Sequence, residues 1–236
     1  GTTSDSLMAI RKFVYEEGRF SLDELRAILL ANFEGYETER ALLLRGAPKY
    51  GNDVPEVDAL AREVAAHFGL ECLKYRTPTG GQFWGLLGAN ISNIYAGREL
   101  GATADGRLAF EPLSDAASPT FGRDENGPTA VARSVANIDY SLLPGGNVVN
   151  MKFHPTAVAG EKGARSLAQL IRTCFELGGA QLQFNTNSRQ LLLEAMEHPE
   201  AHRNLTVRVS GFSAYFVQLD RAVQEDILQR TEHSFG

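Results

Sequence analysis

The chain has 236 residues, 43% of them hydrophobic and 22% charged, which is typical of a globular protein with one large domain or one domain and a small appendage. Its formal charge of −6 is spread along the sequence without a basic block, which argues against nucleic acid and anionic membrane surfaces as partners. No apolar stretch is long enough to cross a bilayer and no signal-peptide pattern begins the chain, so we expect a cytoplasmic protein. The two cysteines, Cys72 and Cys174, lie far apart in helix-like contexts, which predicts reduced thiols.

The first third of the chain is predicted to form amphipathic helices with no chemical motif of their own. Apolar residues recur at helical spacing, and capping or stop signals mark the helix ends. Ser21 and Glu24 form a capping box, and Ser4 is expected to cap the first helix with Asp5 in its first turn. The predicted helices run from Ser4 to Gly18, from Ser21 toward Gly35, over 37–45 and from about Asp53, with Pro55 in the first turn, to Gly69.

Residues 80–128 differ from the first third, because they are dense in Gly, Pro, Asp and Ser. The run from Phe83 to Gly88 predicts a short buried strand, and Asp105 with Gly106 predicts a tight turn in which both residues adopt positive φ angles. An ordinary domain rarely keeps so long a loop without a use for it. We therefore expect this loop-rich stretch to be functional.

Short strands are predicted to alternate with helices after residue 128. Helices are expected to begin at Pro128, at about Glu161 and after the cap Ser188, and strands are expected over 147–154 and 181–185. This alternation favours an α/β architecture.

The run 205–216 is rich in β-branched and aromatic residues and contains one glycine, Gly211, near its middle. Its composition predicts extended chain on both sides of the glycine. A glycine weakens such a run, so it usually marks a tight bend or a close approach of two backbone segments. After the run, Asp220 is predicted to cap a final helix that covers it.

Other candidate sites have less support from the sequence. His198 and His202 have the spacing of metal ligands on one helical face, but Pro199 lies between them, so we predict ordinary surface histidines and no metal in this chain. Three aspartates of the loop-rich stretch could act as acids or bases, although loops use aspartate more often for backbone hydrogen bonds. These are Asp105, Asp115 and Asp124.

Several short motifs follow one another along the chain: NMKFHP at 150–155, QFN at 183–185, HPE at 198–200, RVSGF at 208–212 and RTEH at 230–233. Together they resemble the C-terminal portion of the glycyl radical enzymes, the family of pyruvate formate-lyase and related dehydratases and lyases. The resemblance implies the C-terminal part of an α/β barrel over residues 1–200, followed by a glycyl radical segment over 201–236. Residues 101–130 resemble the segment that covers the active site in dehydratase and lyase members.

In this family a loop glycine stores a backbone radical, and Gly211 is the residue that the resemblance identifies. Glycine suits the role because its alpha carbon, which has no side chain, can flatten and share the electron with the flanking amide nitrogen and carbonyl. Arg208, Val209 and Phe212 are then expected to be presented to a separate activating enzyme that uses S-adenosylmethionine and an iron-sulfur cluster. The loop is expected to be buried and to swing out for activation.

The resemblance also implies a cysteine that receives the radical and attacks a small organic substrate. Neither Cys72 nor Cys174 has the Gly-Cys-x-Glu context of that cysteine. We therefore expect the radical-bearing part of a dehydratase or carbon–heteroatom lyase, inactive by itself and homodimeric in the complete enzyme. Two alternatives stay open: a stand-alone protein that restores an oxygen-damaged formate acetyltransferase-type enzyme, and a segment of a pyruvate formate-lyase-type acyltransferase.

Overall fold

Helices fill the first third of the chain, as its apolar spacing predicts. The computed structural model describes residues 1–235. The helices of this part are α1 (Thr2–Ile10), which continues into a π-helical segment (Arg11–Glu16), α2 (Leu22–Leu30), α3 (Glu37–Arg45) and α4 (Pro55–Cys72). The Ser21 side chain accepts a hydrogen bond from the Glu24 amide, and the Glu24 carboxylate accepts one from the Ser21 amide, so the predicted capping box is confirmed.

The predicted cap of α1 is wrong. Ser4 lies buried inside the helix, which begins at Thr2. The Thr2 amide donates instead to the hydroxyl of Ser114, a residue of the loop-rich stretch (3.0 Å). A partner supplied by a distant loop leaves no signal in the sequence beside the helix, which is why the predicted start was misplaced.

Helix α4 continues through Gly69, where the sequence predicts its end. A Cβ on Gly69 would lie 2.4 Å from the carbonyl oxygen of Leu142. Glycine is therefore required here because two backbone segments come close together, and it does not act as a stop signal.

The buried strand predicted at the start of the loop-rich stretch is wrong. Its large apolar side chains are exposed, namely Phe83, Trp84 and Leu86. Leu87 makes an isolated parallel bridge to Asn147. A single bridge does not bury the alternate side chains of a run, so the apolar composition of this run was misleading.

Two further features of the loop-rich stretch differ from prediction. A short helix that the sequence did not suggest, α5 (Ser92–Arg98), lies within it. Tertiary contacts hold α5, since its Asn93 side chain donates to the Asp226 carboxylate (3.0 Å). The predicted turn is present, with the Gly106 amide bonded to the Thr103 carbonyl, but Gly106 has a positive φ and Asp105 does not.

Beyond the loop-rich stretch, helices and short strands alternate as predicted. The helices are α6 (Gly127–Ala136), α7 (Gly160–Glu176), α8 (Arg189–Glu197) and α9 (Arg221–Gln229). The strands are β1 (Asn150–Phe153), β2 (Gln183–Asn185), β3 (Thr206–Arg208), β4 (Ser213–Tyr215) and β5 (Glu232–His233). Ser188 caps α8 through the Leu191 amide, whereas Asp220 occupies the N-cap position of α9 without a side-chain hydrogen bond to that helix.

Strand β1 is the centre of a parallel three-stranded sheet with the order β2-β1-β5. Successive side chains of a strand point to opposite faces of the sheet. Met151 and Phe153 enter the main core, which the sheet shares with the helices of the first third. Asn150 and Lys152 lie on the other face, which is polar.

A second and smaller hydrophobic cluster packs β3 against helices. Its buried members are Ile94, Leu192, Ala195, Val207, Val209, Phe216, Val223, Ile227 and Leu228. Strands β3 and β4 form an antiparallel hairpin, and Val207 and Val209 of this hairpin rest on α8 and α9 through the cluster. Helix α9 therefore packs against the stem of the hairpin, as the sequence predicts, but it does not cover the tip at 211–213.

The close packing at Gly69 predicts that alanine at this helix position lowers the free energy of unfolding, whereas it usually raises it. Glycine to alanine inside a helix normally stabilises by about 1 kcal/mol. For Gly69→Ala we expect a loss of about 1–3 kcal/mol in the free energy of unfolding, because the Leu142 backbone must move. Chemical denaturation measures this loss. Gly101→Ala, which meets nothing within 4 Å, is the control, and a Gly69→Ala variant as stable as wild type would contradict the packing.

Candidate functional site

The candidate site is the tip of the hairpin between β3 and β4. The Val209 amide donates to the Phe212 carbonyl (2.9 Å) and closes the turn, in which Gly211 has a φ of +85°. Residues with a side chain rarely adopt such an angle. A Cβ at Gly211 would meet Val148 Cγ2 at 3.8 Å, an ordinary contact distance. Glycine is therefore favoured at position 211 by the positive φ of the tight bend. It is not required there by the close approach of a second backbone segment.

Residues 1–235 by themselves do not bury the tip of this loop, and its burial in the complete enzyme stays a prediction. Gly211 and Ser213 are exposed, and Phe212 exposes 40% of its surface. The stem of the hairpin is buried through Val207 and Val209, but residues 1–235 leave its tip uncovered. The tip is exposed because the hairpin packs through its stem alone.

Side chains hydrogen-bond both polar groups of Gly211. Its N–H donates to Gln183 Oε1 (3.0 Å), and its carbonyl oxygen accepts from Arg208 Nη2 (3.2 Å). Arg208 Nη2 also donates to Gln183 Oε1 (3.2 Å), and Arg208 Nη1 donates to the Ser213 hydroxyl (3.1 Å). Gln183, Arg208 and Gly211 thus form a closed set of three hydrogen bonds.

Two asparagines hold the stem of the hairpin. Asn185 of β2 bonds the Arg208 backbone twice, since its Oδ1 accepts from the amide (2.8 Å) and its Nδ2 donates to the carbonyl (2.7 Å). Asn187 Nδ2 donates to the Thr206 carbonyl (3.0 Å). An amide side chain offers one acceptor and two donors, so it can bond both groups of a peptide. These bonds attach β3 to the polar face of the sheet.

The Arg230 guanidinium, just after α9, lies beneath the hairpin. It donates to the carbonyl oxygens of Val209 (2.8 Å) and Arg208 (3.2 Å). It also pairs with the carboxylates of Asp226 (3.4 Å) and Asp115 (3.8 Å). Arg230 is only 4% exposed. A cation so deeply buried depends on these partners, because its Nε has no hydrogen-bond partner within residues 1–235 and a further loss would leave charge without compensation.

Asp115 connects the Arg230 cation to the tip of the hairpin. One carboxylate oxygen accepts from the Ser210 hydroxyl (3.2 Å), and the other accepts from the Asn150 side-chain amide. Burial raises the pKa of Asp115 to about 6, while the Arg230 cation and the two hydrogen bonds oppose the rise. Burial also raises the pKa of Asp226. Both carboxyl groups therefore carry an electrostatic cost at neutral pH that Arg230 partly offsets.

The residues named for the radical loop lie together in this hairpin. Arg208 and Gly211 are bonded to each other, and Phe212 is exposed beside them. Val209 is completely buried in the second cluster, so a protein partner can reach it only if the hairpin opens. Its role in recognition stays a prediction.

The three loop aspartates have different surroundings. Asp115 reaches the hairpin, as described above. Asp105 pairs with Arg123 (2.5 Å), and Asp124 pairs with His233 of β5 (3.0 Å). The Asp105–Arg123 pair lies within the loop-rich stretch, and the Asp124–His233 pair joins that stretch to the sheet. Both are as expected for structural aspartates.

No role was predicted for Gln183, Arg230 and Asp226, which contact the hairpin or its partners. They come from β2 and from the end of α9, so the fold alone brings Gln183 to Gly211 and Arg230, with its partner Asp226, to the backbone of Arg208 and Val209. The signal in the sequence was indirect, because Gln183 and Arg230 each begin a motif that resembles the family.

His198 is exposed, in agreement with its prediction, and His202 is partly buried beside Glu194 (3.6 Å). Within residues 1–235, no three or more His, Cys, Asp and Glu side chains are grouped so as to hold a metal ion. None of the described helices has the length and apolar character needed to cross a membrane.

Two family models match this chain, a glycine radical model over residues 113–217 and a pyruvate formate lyase-like model over residues 1–97. Trans-4-hydroxy-L-proline dehydratase of Clostridioides difficile is 40% identical over 235 residues, which cover 100% of this chain and 30% of that protein. Isethionate sulfite-lyase of Bilophila wadsworthia is 40% identical, with 99% and 28% covered. The glycerol-bound B12-independent glycerol dehydratase of Clostridium butyricum superposes with a TM-score of 0.96 at 43% identity, covering 98% of this chain and 29% of that one.

The chain thus spans about 30% of the length of the relatives it matches. The predicted fold class, α/β and part of the glycyl radical enzyme fold, is confirmed by the superposition. Gly211 lies inside the segment that the glycine radical model matches. The predicted border between residues 200 and 201 stays a prediction.

Removal of the Arg230 cation should release the hairpin. Arg230→Met leaves Asp115 and Asp226 buried without their cation, so we expect a loss of about 3–5 kcal/mol in stability. Amide hydrogen exchange of residues 206–215 should speed up more than that of α4. Arg221→Met on the same helix removes an exposed pair with Glu225 and should change stability by less than about 0.5 kcal/mol. Equal exchange of the hairpin in wild type and Arg230→Met would contradict the contact.

The raised pKa of Asp115 predicts a specific pH dependence. Because the folded chain holds this proton more tightly than the unfolded chain, the stabilising contribution is complete below about pH 4 and is lost as pH rises through about 6. The free energy of unfolding of wild type relative to Asp115→Asn should therefore fall by about 2 kcal/mol between pH 4.5 and 7.5. Urea titrations at both pH values measure it. A difference that does not depend on pH would refute the assignment.

Proposed function

Because this chain belongs to the glycyl radical enzyme family and corresponds to the C-terminal portion of its larger members, we propose that it stores a backbone radical on Gly211 for a radical lyase or dehydratase. The observation that carries the proposal is the hairpin tip itself. It presents a glycine whose N–H and carbonyl are both hydrogen-bonded, within the segment that matches the glycine radical model.

The chemistry follows from the bare alpha carbon of Gly211. An activating enzyme removes one hydrogen atom from it, and the carbon flattens so that the unpaired electron spreads over the adjoining amide nitrogen and carbonyl. A Cβ would crowd this plane. The radical then takes a hydrogen atom from a cysteine thiol, which restores glycine and leaves a thiyl radical. The thiyl radical in turn takes a hydrogen atom from the substrate.

The cysteine of this step is not one of the two in the chain. Cys174 is buried in the main core, where its thiol lies 3.9 Å from the Ala132 carbonyl oxygen, and Cys72 is the last residue of α4. We propose that the cysteine belongs to the remainder of the enzyme, which would also cover the exposed tip around Phe212. By itself this chain would hold a radical and turn over no substrate.

Dehydration or cleavage of a carbon–heteroatom bond in a small organic molecule is the reaction that we favour. Its support is the relatives, which are named as dehydratases of hydroxyproline and glycerol and as a sulfite-lyase of isethionate. The first alternative is a stand-alone protein that restores an oxygen-damaged formate acetyltransferase-type enzyme. The second is a segment of a pyruvate formate-lyase-type acyltransferase. The match of residues 1–97 favours part of a full enzyme, since a replacement for the radical loop alone would not need them.

The activating partner is proposed to be an enzyme that carries an iron-sulfur cluster and binds S-adenosylmethionine, so the only cofactor of this chain is its own radical. Arg208, Val209 and Phe212 would contact it. Phe212 is already exposed, whereas Val209 must leave the second cluster first. Because hydrogen bonds and a small cluster hold the hairpin, it is a plausible unit of local opening. We further propose a cytoplasmic homodimer for the complete enzyme.

Electron paramagnetic resonance tests the radical directly. After anaerobic incubation with a cognate activating enzyme and S-adenosylmethionine, wild type should show a glycyl radical signal and Gly211→Ala should show none. Alanine at φ +85° costs about 1–2 kcal/mol but meets no clash, so the variant should fold. Gly35→Ala places the same strain at φ +76° on an uncrowded site far along the chain and should keep the signal.

Exposure of the activated sample to air supplies a second readout. Oxygen should cleave the backbone at Gly211, and mass spectrometry should detect two fragments that meet there. A silent wild type, or an activated sample that stays intact in air, would contradict the proposed function. An open reading frame that extends far upstream of Gly1 would exclude the stand-alone alternative.

A further inference from the structure

We propose that Gln183 and Arg208 are positioning residues for the radical: they hydrogen-bond the two polar groups of Gly211 and favour the spread of its unpaired electron onto both adjoining peptide groups. The inference rests on the proposed function and goes beyond it, because it assigns residues that stabilise the radical after it has formed. Gln183 is the critical member, since Arg208 is also a candidate contact for the activating enzyme.

Gln183 presents its oxygen to Gly211 because a chain of partners fixes its orientation. The Asp115 carboxylate can only accept hydrogen bonds when ionised, so Asn150 must turn its NH2 group toward Asp115. The oxygen of Asn150 then faces Gln183, which must donate its own NH2 group to it. The remaining Gln183 oxygen points at the Gly211 N–H, at 3.0 Å. Each amide therefore has one permitted orientation.

The fold holds Gln183 firmly in this place. The residue is 5% exposed and lies on β2, directly opposite Asn150 of β1 in the parallel sheet. The oxygen of Gln183 also accepts from Arg208 Nη2 (3.2 Å), the same nitrogen that donates to the Gly211 carbonyl (3.2 Å). The Arg208 guanidinium and the Gln183 side-chain amide thus hydrogen-bond the peptide groups on the two sides of the Gly211 alpha carbon.

The direction of both hydrogen bonds suits a radical at that carbon. An electron shared with the nitrogen is favoured when the N–H has an acceptor, because the acceptor raises electron density on nitrogen. Sharing with the carbonyl is favoured when a cation donates to its oxygen, and such charge-assisted bonds are stronger than neutral ones. The glycine is twisted before activation, with φ of +85°.

A simpler explanation is that these bonds only keep the hairpin closed. Asn187 separates the two possibilities, because its side-chain amide also bonds the hairpin backbone, at the Thr206 carbonyl (3.0 Å), but contacts neither Gly211 nor Arg208. Gln183→Leu and Asn187→Leu each remove one amide that holds the hairpin. Only the first removes a partner of the radical residue.

The experiment generates the radical anaerobically with the activating enzyme in the assembled enzyme and follows it by electron paramagnetic resonance. In Gln183→Leu we expect the radical to decay about fivefold faster, as one lost hydrogen bond implies. The hyperfine splitting from the Gly211 alpha proton should rise, because less spin leaves the carbon. Asn187→Leu should match wild type in both. The splitting is measured only on molecules that carry the radical, so partial unfolding does not affect it, and Gln183→Met repeats the test with an unbranched side chain.

The outcomes separate the two proposals. A silent wild type would overturn the proposed function. A wild-type signal with the same splitting and decay in both Gln183 variants would overturn this inference alone. So would a faster decay in Asn187→Leu equal to that in Gln183→Leu, since general loosening of the hairpin would then explain both. A radical that is detected in Asn187→Leu but in neither Gln183 variant would give the inference its strongest support.

Discussion

The contact on which the site depends is the buried cation of Arg230 beneath the carbonyl oxygens of Arg208 and Val209. Strands of three residues in a two-stranded hairpin are at best marginally stable in water, so this hairpin needs partners outside itself. Arg230 supplies two donors to its backbone. Asp115 and Asp226 lie within 4 Å of the buried cation and compensate its charge.

The hydrogen-bond network around this cation connects the buried charged residues to Gly211. Asp115 receives hydrogen bonds from Ser210 in the turn and from Asn150 in the sheet, and Asn150 in turn orients Gln183. The same carboxylate therefore holds the turn and sets the acceptor for the Gly211 N–H. Polar networks of this kind are strong when every member is satisfied and weak when one is missing, because desolvated groups have no water to replace a lost partner.

The second cluster and the polar network hold the hairpin from different directions. Val207 and Val209 bury apolar surface against α8 and α9, whereas Asn185 and Gln183 attach the other side of the hairpin to the polar face of the sheet. The tip beyond these contacts is free in residues 1–235. The hairpin is therefore fixed at its stem and exposed at Gly211.

Local signals in the sequence determined much of the secondary structure and the candidate radical residue. The Ser21–Glu24 capping box, the Ser188 cap and the helix over 37–45 appear as predicted, because each depends on neighbours along the chain. The glycine in a β-rich run predicted a bend at Gly211, and the motifs around it identified the family.

Only the tertiary structure decided the rest. Helix α5 and the continuation of α4 through Gly69 depend on packing partners far away in the sequence, and so does the exposure of Phe83, Trp84 and Leu86. The contacts of the hairpin are of the same kind, since Gln183 reaches Gly211 from β2 and Arg230 reaches Val209 from the end of α9 through hydrogen bonds that no local pattern encodes.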